Sequence, residues 1–168
     1  MLVTHEVGHA LFTPGDMQVV EAAVDYIAGD SKQGQFIAKQ FLNIIEDARI
    51  ERMIKSKFPG LRRDFASAYK TLNEQDLFEI SDKDISTLAL IDRLNLQFKL
   101  GLHCQVPIPF SATEQQYVTR MDETTTFEEV VELARELYEM QKEQDEEQNE
   151  DTRWQQNLKN LSSEEQYH

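Results

Sequence analysis

The sequence predicts a mainly α-helical chain, and three observations predict it. Apolar residues recur at three- and four-residue spacing through most of the 168 positions, and no stretch alternates strictly enough for a confident strand. The third observation is His-Glu-x-x-His within Thr4–Leu11, a spacing that places two imidazoles on one face only if the segment is helical. An apolar content of 40% over this length is enough for one domain with a real core.

The elements follow in order from periodicity and turn residues. A first helix is expected from Leu2 to Phe12, stopped by Thr13-Pro14-Gly15-Asp16, because proline cannot continue it. Asp16 can cap a second helix with Val19, Val20, Ala23, Val24 and Ile27 on one face, ending in a flexible loop over residues 29–34. A third runs from Gln35 to Lys57 with a wide apolar surface and stops at Pro59-Gly60. Leu61 to Leu72 reads as a fourth, and Ser81 or Asp82 caps a fifth that runs to Leu100. The two prolines of residues 106–110 make that segment extended, and it can lie across the core. A short helix from Ser111 or Thr113 to Met121 comes next, and Thr125 or Thr126 then caps a long one bearing Phe127, Val130, Val131, Ala134, Leu137 and Tyr138 inward. From Glu139 the apolar stripe fades into acidic, Gln-rich sequence, an acidic linker or a solvated continuation of the helix. Residues 1–138 are therefore expected to form the domain and residues 139–168 the linker or helix extension.

The motif states a chemistry. His5 and His9 lie one turn apart and can offer two neutral imidazoles to one Zn²⁺ ion, while Glu6, one residue round, can reach a water at the metal's open position and act as general base. A catalytic zinc keeps three protein ligands, and two His with one Glu is a standard set. Glu46 is the expected third ligand, since Leu42 and Met53 continue its apolar stripe and draw its carboxylate inward, where a cation must compensate it. Asp47 or Glu51 would orient a ligand histidine through its other ring nitrogen, and Arg49 or Arg52 would balance the charge. Tyr26, Tyr69 and His103 are candidates for a general acid or oxyanion donor.

Composition excludes other classes. A formal charge of −14 without a basic patch disfavours nucleic acid and anionic membrane surfaces. The lone Cys104 cannot form an internal disulfide and is expected to pack rather than react. No signal peptide and no apolar run long enough to span a bilayer is present, which points to the cytoplasm, or to the host cytoplasm if a phage encodes the chain. A zinc peptidase usually builds a sheet before its motif helix, and none has sequence to come from here, so a fragment is expected.

Taken together, His-Glu-Val-Gly-His-Ala-Leu-Phe-Thr-Pro, Ile-Glu-Asp-Ala-Arg-Ile-Glu-Arg, the Phe58-Pro59-Gly60 stop and the acidic tail resemble phage and bacterial proteins related to the cobalt chelatase T subunit, metallopeptidase-like proteins with a VWA domain. The resemblance covers about the first 70 residues well and the rest loosely. It implies a zincin-like (gluzincin) helical core lacking its N-terminal sheet, metal on His5, His9 and Glu46, and Glu6 as base. It also implies an AAA+ ATPase of the MoxR or chelatase type as partner, in place of or beside a peptide substrate. The Asp-x-Ser-x-Ser signature of a VWA domain does not occur. Two functions follow as expectations: peptide hydrolysis by metal-activated water, or a non-peptidase role in an ATPase-driven remodelling or metal-insertion machine with a structural or vestigial site.

Overall fold

The computed structural model describes residues 9, 15, 17–76, 78 and 80–166, with side chains described through residue 159. Among these residues the chain is helical with no strand, as expected of a mainly α protein. The first expected helix lies outside them apart from His9, which is helical, and so does Asp16, the expected cap of the second.

Helix α1 (Met17–Ala28) ends at Gly29, whose φ of 67° suits a residue without Cβ. Ser31 then opens α2 (Lys32–Lys57), its hydroxyl accepting from the Gly34 amide at 3.1 Å. The loop expected over residues 29–34 is thus a tight turn, and α2 starts three residues before Gln35, because Ser31 is a cap hidden within a cluster of turn residues. Helix α3 (Leu61–Glu74) buries Phe65 and Tyr69.

The fifth expected helix is cut to half its length. Asp76 accepts from the amides of Ile80 and Ser81 at 3.1 and 3.0 Å, and Asp84 accepts from that of Ser86 at 3.0 Å. These local bonds compete with a helical ladder and leave turns and a 3₁₀ turn (Ile85–Thr87) where helix is expected. Helix α4 (Leu90–Leu96) follows and widens into a π turn (Gln97–Gly101), closed by the Leu102 amide on the Gln97 carbonyl at 3.0 Å. The extended segment lies across the core: Val106 and Ile108 pack on one apolar cluster and Phe110 on another. Helix α5 (Gln115–Glu123) and helix α6 (Phe127–Gln166) complete the chain. A reciprocal cap starts α6, Thr126 Oγ1 accepting from the Glu129 amide at 3.2 Å while the Glu129 carboxylate accepts from the Thr125 amide at 3.3 Å. The acidic stretch after residue 139 continues this helix.

Helix α2 is the axis on which the others pack. Its Ala38, Phe41, Leu42 and Ile45 meet Ala23 and Ile27 of α1, Leu94 of α4, Met121 of α5 and Val130, Leu133, Ala134 and Leu137 of α6. Gly34 lets Tyr138 of α6 come so close that a Cβ there would collide with its hydroxyl. A smaller cluster joins Ile54 to Phe65, Tyr69, Leu96 and Leu100. Residues 142–159 of α6 are exposed throughout.

Candidate functional site

The C-terminal half of α2 carries charge into the interior. Glu46, Arg49 and Glu51 are 2, 3 and 3% exposed. Ionised groups are that deeply buried only when partnered, so their partners define the site. His9 is partly exposed, and its Nε2 lies 2.9 Å from Asp47 Oδ1. A carboxylate only accepts, so Nε2 carries the hydrogen and, in the neutral ring, the lone pair is on Nδ1.

Glu46 points to another side of the helix, as expected one residue and 100° away. Its Oε1 accepts from Arg49 Nε at 2.5 Å, while its buried Oε2 has no hydrogen-bond partner among the described residues. Arg49 also reaches the Thr125 carbonyl at 3.3 Å and Met53 Sδ at 3.2 Å. Arg52 serves the chain rather than the carboxylates, donating to the Met121 carbonyl at 3.0 Å and to the carbonyl of Thr124.

One turn beyond Asp47, Glu51 accepts from the Tyr69 hydroxyl and has Lys55 Nζ at 4.0 Å. Lys55 in turn donates to His103 Nε2. His103 Nδ1 is 2.9 Å from the Lys99 carbonyl, which fixes the tautomer, since a carbonyl cannot donate. The Tyr69 and His103 rings are tilted with centroids 5.0 Å apart. Burial, and then the charge of Lys55, hold the His103 pKa below the ordinary value. Burial also lowers that of Lys55, against the pull of Glu51. The Tyr69 phenol is pushed far up by burial, by Glu51 and, more weakly, by Asp47. At neutral pH His103 is a neutral acceptor and Tyr69 a permanent donor.

No known family, curated protein or solved structure matches the chain. The site therefore stands on its own residues. His5 and Glu6 lie outside the described residues, and among those described no group of three or more His, Cys, Asp or Glu side chains converges as a metal site. Two of the described groups are of kinds that zinc takes: the His9 imidazole beside Asp47, and the buried Oε2 of Glu46, which like Oε2 of Glu51 accepts no hydrogen bond among the described residues. Of the three candidate donors, Tyr69 and His103 share the cluster around Glu51, whereas Tyr26 bonds Glu132 at 2.7 Å on the α1–α6 surface. The Lys55–His103 bond has no sequence signal, because the two are 48 positions apart; the Asp47, Glu51, Lys55 spacing of four does show one polar stripe.

Proposed function

We propose that the chain is a zinc-dependent peptidase-like protein of the gluzincin kind, hydrolysing peptide bonds at a site formed by the His-Glu-x-x-His segment and α2. The observation that carries the reading is the 2.9 Å contact between His9, the second histidine of the motif, and Asp47 on the helix expected to supply the remaining donor. His5, His9 and Glu46 would hold the ion, the unpartnered Oε2 of Glu46 being the available oxygen. Asp47 orients His9, and Arg49 steadies the other oxygen of Glu46. Bound zinc would polarise the scissile carbonyl and lower the pKa of water. Glu6 would take the proton of the attacking water and pass it to the leaving amine.

The expected outcome is that Glu6→Gln retains zinc but loses peptide cleavage by about 10²- to 10⁴-fold, whereas His5→Ala, His9→Ala and Glu46→Ala lose the metal. Zinc content by elemental analysis, with turnover of a peptide library, checks both. Equal cleavage with Gln at position 6 would refute the peptidase mechanism.

The bare part of α6 favours a second reading. Residues 142–159 carry six acidic side chains against three basic ones and expose Trp154 at 65%. An uncovered aromatic on an acidic helix suits a protein partner, and the family resemblance suggests an AAA+ ATPase of the MoxR or chelatase type. Binding to such an ATPase, with no cleavage by wild type or Glu6→Gln, would put the remodelling role in place of the peptidase.

A further inference from the structure

This inference rests on the zinc-site reading and names what tunes that site. Asp47, Glu51 and Lys55 fall four apart on α2 and form one polar stripe along its more deeply buried C-terminal half. Asp47 meets His9 at one end, and Lys55 meets His103 at the other. Glu51 lies between them with its side chain 4% exposed. Two carboxylates one turn apart repel each other, and burial of the second adds a desolvation cost. The fold accepts both penalties and builds a cradle around Glu51 from Tyr69, Lys55 and, behind Lys55, His103.

That cradle keeps a charge where an apolar side chain would pack at lower cost. Among the described residues no group of three or more His, Cys, Asp or Glu side chains gathers around Glu51, and its buried Oε2, 4.0 Å from Lys55 Nζ, accepts no hydrogen bond there, so an effect of Glu51 on a bound ion would run through its field and through the placement of its neighbours. We propose that Glu51, held by Tyr69 and Lys55, is a positioning residue that supplies standing negative charge beside the His9–Asp47 pair and so raises the affinity of the site for a divalent cation. Removing a group just outside the ligands of a metal typically costs about 10- to 100-fold in affinity.

The test uses the full chain, with Zn²⁺ titrated in competition with a chromophoric chelator and folding followed by circular dichroism. Glu51→Gln and Tyr69→Phe should each weaken zinc binding by about 10-fold or more, and the double variant should lose no more than Glu51→Gln alone, because the pair acts as one unit. Cobalt(II) loaded in place of zinc should show shifted visible bands in Glu51→Gln. Tyr26→Phe, on the α1–α6 surface, should bind as wild type does. A folded Glu51→Gln with wild-type affinity and an unshifted cobalt spectrum overturns the inference, even if its melting temperature falls, since the residue is then structural only. If Tyr69→Phe does not fold, the near-isosteric Glu51→Gln decides. Wild type that takes up no zinc is a different failure: it overturns the zinc-site reading itself, and this inference with it.

Discussion

The two halves of α2 use burial in opposite ways. From Ala38 to Ile45 the helix buries Ala38, Phe41, Leu42 and Ile45, all of which join the main apolar core. From Glu46 to Ile54 it buries Glu46, Arg49 and Glu51 among Ala48, Ile50 and Ile54. The first half gains free energy from water release and close packing. The second gives some of it back, since a buried ion pair is commonly no more stabilising than apolar residues of the same volume. Two regimes within one continuous helix mean that the scaffold could have supported an apolar second half. The charge concentrated there is what the proposed site would use.

Breaking one partner of the buried pair should have the largest effect. Arg49→Met strands the Glu46 carboxylate and should cost about 3–5 kcal/mol of unfolding free energy in a urea titration. Glu46→Leu with Arg49→Met removes the charge altogether and should restore stability to within about 1 kcal/mol of wild type while abolishing zinc uptake. A double variant as unstable as Arg49→Met alone would show that the two halves of α2 do not differ in kind.

In the apolar half, Ile45→Ala leaves a cavity on the core side of α2 and should cost about 3 kcal/mol, with no change in zinc affinity when measured on folded protein. Loss of metal without loss of stability would break the division between the halves.

The smallest effect is expected at a pair outside α2. Arg93 binds Glu114 through both nitrogens at 2.8 and 2.7 Å, and with help from Ser111 it holds the carboxyl well below the ordinary 4.5, at about 2. A lowered folded-state pKa contributes stability that is fully present above the unfolded value and lost as pH falls from about 4.5 towards 2. Glu114→Gln should flatten this acid limb and cost about 1 kcal/mol near neutral pH, because the pair is partly solvated. A loss as large as that of Arg49→Met would place this pair among the buried charges.

Much of this was legible because it is local. The stop at Pro59-Gly60, the apolar faces of α1 and α2, the cap before Phe127 and the extended Val106–Phe110 segment all follow from spacing and backbone chemistry. The fifth expected helix misled because apolar spacing continues through residues 85–89, while Asp76 and Asp84 use short-range bonds to hold that stretch in turns. Within the site, the motif spacing and the inward stripe of Glu46 were visible in the chain, as was the polar spacing of Asp47, Glu51 and Lys55.

The sequence by itself determined most of the helices, the wide apolar surface of α2, and which residue types could bind a metal, because each depends on neighbours within a turn or two. Tertiary structure alone decided that His9 meets Asp47, that Arg49 takes one oxygen of Glu46, and that Tyr69, Lys55 and His103 gather around Glu51. Those choices join residues 18 to 52 positions apart or turn on which side of a helix faces the interior, and helix packing sets both.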